Sequence, residues 1–319
     1  MRTSARQLPV FTRLEREKIE ELRSRDESFW VDLLEPTPDE IELLGTLFGF
    51  HPLALEDTRR FGQRPKLDDY GDHLLLVFYG AQLDGRAEPQ PIEVHVFVSG
   101  GSVVTVHRDP STELAALRRR FQRRGATGEQ WIVYRILEAL TDSFFPVLDT
   151  VDDELDGLEE TIIAAPTDEQ LARIFRLKRA LGRLRRVVAP ARDLFQQAPD
   201  QITGLPGLAP GAHDYFRDVY DHLLRISELI DAQRDLLSSA MDVYLSTSSN
   251  RLNLIMKRLT LIATVFLPLT FVTGFFGQNF GWLVDRIDGF VAFALLGIGS
   301  LALSSAVLMA LFQRAGYLR

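Results

Sequence analysis

Apolar and polar positions follow three rhythms along this chain, and each predicts a different kind of element. Ile92, Val94, Val96 and Val98 alternate with Glu93, His95 and Phe97. Gly100-Gly101 then turns the chain into Ser102 to His107. Alternation of this kind around a glycine turn predicts a β-hairpin. Leu74 to Tyr79 is a continuous apolar run of strand length, and Ser28 to Leu34 reads as another strand. Pro38 to Phe50 reads as a helix with proline in its first turn. Ser111 opens a further helix whose far side, Arg118 to Arg124, is mostly basic and expected to be solvated. Residues 1–127 are therefore expected to form an α/β domain.

From Trp131 the rhythm becomes helical. Leu148, Val151, Leu155, Leu158 and Ile162 recur at steps of three and four, the spacing of a coiled-coil seam. The remaining faces carry Asp149, Asp152, Asp153, Glu154, Asp156, Glu159 and Glu160. Pro166 interrupts, and Thr167 with Gln170 has the spacing of a capping box. The next helix has the seam Ile174, Leu177, Leu181, Leu184 and Val188, surrounded by Arg173, Arg176, Lys178, Arg179, Arg183, Arg185 and Arg186. Residues 128–198 should thus form an antiparallel helical hairpin of opposite charges. Its acidic helix either solvates the hairpin or gathers cations. After the Pro- and Gly-rich segment 199–211, no Gly or Pro interrupts the helical pattern until Pro268. One helix is expected over 212–276, on the order of 100 Å long at 1.5 Å per residue.

The third rhythm is the loss of all charge. Leu259 to Phe276 and Phe290 to Phe312 contain no charged residue. Each is close to the length that crosses a hydrocarbon core of about 30 Å. Lys257 and Arg258 precede the first run, and Arg314 and Arg319 follow the second. Positive charge at both outer ends predicts cytoplasmic termini, an external loop over 277–289 and a cytoplasmic tail over 313–319. The protein is expected in the cell membrane. On the first span Met256, Thr260, Ala263, Leu267, Thr270, Gly274 and Gly277 form a mostly small or hydroxylic stripe, with Leu261, Val265, Leu269, Val272 and Phe276 opposite. Small stripes serve close helix packing or line a path. This one leads to Gly277-Gln278-Asn279. One hairpin cannot enclose a channel, whereas a ring of copies places one Asn279 per subunit around an axis. Neutral oxygens there can hydrogen-bond the water shell of a passing ion.

Composition narrows the chemistry. The chain has 319 residues and a formal charge of −8 although both spans are nearly uncharged. The acidity lies in the soluble part, which argues against nucleic acid as a partner. Zero cysteines exclude disulfides and thiolate sites. The charged stretch from Met1 to Lys18 has no apolar core and is no signal peptide. The histidines show no metal-site spacing, and His95 is expected to be a packing or surface residue. No phosphate-binding loop, nucleophile elbow or dinucleotide fingerprint occurs, so ATP-driven pumping has no support and an enzyme is not expected.

Met256-Lys257-Arg258-Leu259-Thr260, Phe266-Leu267-Pro268-Leu269-Thr270 and Gly277-Gln278-Asn279 together resemble the CorA-type family of divalent-cation channels, which reads G-M-N at the last position, or G-V-N in its zinc-transporting ZntB branch. The likeness continues in Phe216 to His222, Asp242 to Ser246, Gly49 to Leu53, Gln63 to Lys66 and Gly316-Tyr317-Leu318. The resemblance implies a cytoplasmic α/β domain, a long stalk helix entering the membrane, and a homopentameric funnel in the lipid bilayer. It implies Mg²⁺ as transported and regulatory ion, with Co²⁺ or Ni²⁺ also passing, and no other cofactor. The implied pore lining and gate comprise Asn253, Met256, Leu259, Thr260, Ala263, Leu267, Thr270 and Gly274, with Met256, Leu259 and Leu267 as apolar narrowings. Gly277, Gln278 and Asn279 form the implied filter. Asp84 and Asp218 match acids that bind cytoplasmic Mg²⁺ across subunit borders, and Asp242 is a second candidate. Gln278 departs from the usual Met, and the acidic loop that often follows the filter is absent. A ZntB-like Zn²⁺ carrier and a membrane-tethered sensor that conducts nothing stand as alternatives.

Overall fold

The computed structural model describes residues 8–124, 129–197, 212–278, 281–286 and 289–314. The chain divides into two compact units, Met1–Tyr244 and Leu245–Arg319.

The first unit is built on a six-stranded mixed sheet. Its strands are β1 (Val10–Phe11), β2 (Phe29–Leu34), β3 (Lys66–Asp69), β4 (Leu74–Leu83), β5 (Pro89–Ser99) and β6 (Ser102–His107), in the order β1-β2-β6-β5-β4-β3. β1, β2 and β6 run parallel, and β6 through β3 pair antiparallel. The expected hairpin is β5–β6, with Ser99 opposite Ser102 and Gly100 at a φ of 52°. Here glycine supplies the left-handed turn conformation without a Cβ penalty.

Alternation along β5 does not separate a wet face from a dry one. His95 and Phe97 are as buried as Val94 and Val96. The reason is that helices cover both faces. Phe97 stacks on Phe50 and Phe29 packs on Phe48, beside α1 (Arg16–Ser24), α2 (Pro38–Phe48) and α3 (Pro52–Arg60). On the opposite face Trp30 meets Phe121 of α4 (Thr112–Arg124), and Phe78 meets Phe195. The single helix expected from Pro38 to Phe50 ends at Gly49, in the left-handed conformation, and Pro52 starts α3. Arg118 is only partly solvated: its guanidinium lies 2.8 Å from buried Asp32.

The helix expected from Trp131 is interrupted at Ser143, giving α5 (Glu129–Asp142) and α6 (Phe144–Ala164). The Ser143 hydroxyl accepts the Ala81 N–H at 2.8 Å and donates to the Leu140 carbonyl at 2.5 Å. Gly80 allows this approach. A Cβ there would lie 2.9 Å from the Ser143 oxygen. The seam of α6 is buried from Leu148 to Ile162, as is that of α7 (Asp168–Gln197) from Ile174 to Val188. Thr167 and Gln170 exchange the bonds of a capping box. The opposite charges of the two helices meet less than expected. Among the described residues one ion pair joins them, Arg173 to Glu154, while Arg176 turns to Glu88 and Arg185 to Asp231. Residues 199–211 lie outside the described residues.

The long helix α8 spans Ala212–Phe276, 65 residues, with Pro268 inside it. Its first part closes the core of the first unit through Phe216, Val219, Leu223, Ile226 and Ile230. Its second part belongs to the second unit. There follow a short helix α9 (Gly281–Arg286), where a loop was expected, and α10 (Phe290–Arg314), whose Phe293–Gly299 segment has π-helical bonding.

Candidate pore and ion-responsive sites

Both α8 and α10 are long and apolar enough to cross a membrane, and none of their most apolar windows is buried. Burial is not even around α8. Leu261, Val265, Leu269, Val272 and Phe276 are half-buried, together with Thr264 and Pro268. On α10 the half-buried set includes Gly297, Ser300, Leu301, Ser304, Leu308 and Phe312, again at steps of three and four. These two stripes have the periodicity of helices leaning on each other. The other face of α8 is open: Asn253, Met256, Leu259, Thr260, Ala263, Leu267, Thr270 and Gly274 are all exposed, Leu267 by 74%.

Hydroxyls on this helix are turned inward on the backbone. Thr264 donates to the Thr260 carbonyl at 2.7 Å and Thr270 to the Phe266 carbonyl at 2.8 Å. Pro268 lacks an N–H, which leaves the Thr264 carbonyl without its helical donor. The helix continues past it nonetheless. The helix ends with the Gly277 N–H on the Thr273 carbonyl at 2.9 Å and the Gln278 N–H on Phe275 at 3.3 Å. A Cβ on Gly277 would meet the Thr273 oxygen at 3.0 Å. Gln278 is exposed. Asn279 lies outside the described residues.

The three acidic candidates occupy different settings. Asp84 ends the β4 extension in a tight turn, where its Oδ1 accepts the N–H groups of Arg86 and Glu88, each at 2.8 Å. The bonds from Glu88 and Arg86 hold its carboxyl below the usual range. Asp218 stands on α8 in a group the sequence did not disclose. The Tyr134 hydroxyl is 3.1 Å from Asp218 and 2.9 Å from Glu138. His222 lies 3.1 Å from Asp142 and 3.9 Å from Asp218. Burial raises the Asp142 pKa, and Glu138 and Asp218 add to this against the pull of His222. His222 is one turn beyond Asp218, so the i, i+4 spacing was readable, whereas Glu138 and Asp142 arrive from another helix. Asp242 is exposed. Among the described residues no hydrogen bond joins Asp84 to Asp218, and no three His, Asp or Glu side chains stand close enough to hold a metal ion.

His95 is fully buried. Its Nδ1 is 2.9 Å from Thr58 and its Nε2 2.8 Å from Glu93. Glu93 also accepts the N–H groups of Gly62 and Gln63. Burial works against the Glu93 charge, but the bonds from His95, Gln63 and Gly62 outweigh it and lower the pKa.

A sheet-based unit joined through one helix to a pair of membrane-length helices defines a membrane protein with two spans and a large soluble unit. Residues 25–314 match the family described as CorA-like Mg²⁺ transporter protein, and the chain belongs to that family. The cobalt/magnesium transport protein CorA of Thermotoga maritima is 33% identical over 252 residues, which is 77% of this chain and 71% of that one. The metal ion transporter YfjQ of Bacillus subtilis, itself named as putative, is 34% identical over 275 residues, 85% of this chain and 84% of the relative. The complete structure of the CorA magnesium transporter from Methanocaldococcus jannaschii superposes with a TM-score of 0.79 at 22% identity, covering 90% of each chain.

Proposed function

We propose that this chain is the subunit of a homopentameric Mg²⁺ uptake channel that also passes Co²⁺, with both termini cytoplasmic. The observation that carries this reading is the match to a cobalt/magnesium transport protein over 77% of the chain. The open stripe of α8 supports it, because it contains no charge that would bind a divalent ion tightly. In a ring of copies this stripe faces the axis, and Met256, Leu259 and Leu267 form apolar narrowings that close by dewetting. The half-buried stripe is left to the second span. Gly277, Gln278 and Asn279 stand at the outer mouth, where amide oxygens replace the outer hydrogen bonds of a hydrated ion. Asp84, Asp218 and Asp242 carry the inhibition by cytoplasmic Mg²⁺.

Uptake of Mg²⁺ into vesicles containing only the purified protein tests the reading. Wild-type vesicles are expected to take up Mg²⁺, and Asn279→Ala to lose that flux while assembling to the same size. Zn²⁺ uptake without Mg²⁺ uptake would assign the protein to zinc transport. No flux of either ion would leave a non-conducting sensor.

A further inference from the structure

Arginines from separate elements converge on one side of the first unit. A cavity of about 660 Å³ is lined by Arg64, Arg185, Arg186 and Arg234. A neighbouring one of about 410 Å³ shares Tyr79, Arg186 and Val187 with it and adds Arg108 and Arg183. Six arginines thus line adjoining cavities in a chain of net charge −8. The carboxylates lining the same walls are Glu93 and Asp109, and Glu93 is already taken up by three bonds. Asp231 holds Arg185 at 2.7 Å and Arg234 at 3.4 Å. Arg183 donates to the Pro89 carbonyl, and Arg108 lies over the Phe61 ring while donating to the Arg59 carbonyl.

Arg64 and Arg186 are exposed and have no ion-pair partner among the described residues. The Nε of Arg234 is buried without a hydrogen-bond acceptor. Arg64 and Arg186 are the open donors lining this space, whereas the Arg234 nitrogen is sealed off from solvent. Cations lining one cavity repel one another until an anion enters. The planar fork of arginine matches phosphate oxygens two at a time. Each cavity lies within the usual range of small-molecule sites, wider than one phosphate needs.

We propose that this cleft binds a soluble anion carrying two or more linked phosphate groups. The occupant joins α7, the segment from Gly62 to Pro65 and α8 at Arg234. It bears on the first unit whether or not the spans conduct.

Titration calorimetry on the full chain in detergent tests the site, with inorganic tripolyphosphate as probe in magnesium-free buffer so that chelation of a regulatory ion cannot be read as binding. Saturable binding is expected. Arg64→Ala and Arg186→Ala should each weaken it about tenfold, and the pair more, without lowering the melting temperature of the ligand-free protein. Arg186→Lys should restore part of the affinity. Arg120→Ala, on the separate basic face of α4, should leave it unchanged. An equal loss in Arg120→Ala would reduce the effect to diffuse attraction and overturn the proposal. No saturable tripolyphosphate binding would overturn it too, as would binding confined to vesicles containing phosphoinositide headgroups.

Discussion

Asp32 is 1% exposed and stands between Arg118 and His107. Arg118 is 2.8 Å from one oxygen, and His107 Nε2 is 3.1 Å from the other. The remaining His107 nitrogen faces the Asp109 carbonyl at 2.7 Å. Both ring nitrogens therefore have acceptors, which suits the doubly protonated ring. Burial opposes that charge, but the bond and attraction from Asp32 outweigh it and raise the His107 pKa. A raised histidine value adds stability that is fully present below the ordinary value of 6.5 and is lost as pH climbs through the folded one. Wild-type melting temperature is expected to fall as pH rises from about 6 to 9. Asp32→Asn should lower stability by roughly 3–5 kcal/mol by stranding Arg118 and flatten that slope. A mutant slope equal to the wild type would mean that Asp32 does not raise the His107 pKa. None of this was legible in sequence. Asp32 sits in a strand whose pattern is readable, but its partners lie on α4 and β6, and a basic run looks solvated until its neighbour is known.

Long periodic helices were the most legible elements. The seams of α6 and α7 stand buried where steps of three and four placed them, because such spacing has one physical use. Short elements were not: β1, β3 and α3 hold too few residues to show a period. The interruption at Ser143 was invisible for another reason. Serine is a tolerable helix residue, and what stops the helix is the Ala81 N–H arriving from β4. Ser143→Ala leaves that N–H unsatisfied in a buried place and should cost about 1–3 kcal/mol. Gly80→Val, which crowds the Leu140 side chain as well, is expected to cost more. Denaturant unfolding of both variants checks the order, and a neutral Ser143→Ala would mean that water reaches the joint.

In the whole molecule, the spans were readable because charge vanishes over bilayer length. The proposed ion site was less so, because on that reading its groups would come together only when several chains do. Asp84 illustrates the difficulty. Its Oδ1 already serves the turn, so alanine there would disturb structure as well as charge. Asp84→Asn keeps an acceptor for Arg86 and Glu88 and removes the charge. The double variant Asp84→Asn, Asp218→Asn is expected to conduct Mg²⁺ with its inhibition by internal Mg²⁺ weakened about tenfold or more, a coupling of at least roughly 1.4 kcal/mol. Equal inhibition in wild type and variant would move the sensor to Asp242 or the acidic face of α6. The division of α8 between two units also has a consequence for synthesis. Everything that closes the sheet, down to Tyr244, precedes the spans in the chain. Ribosomes add about 5–20 residues per second, so the sheet, complete at His107, has on the order of ten seconds to form before Leu259 emerges. The α8 residues that close the core precede the span by only about one to three seconds at that rate. The insertion machinery then receives a span preceded by a sheet that has had time to form, and such a folded element is hard to translocate. Early folding would favour the cytoplasmic orientation proposed for this end, in the same sense as the positive charge of Lys257 and Arg258.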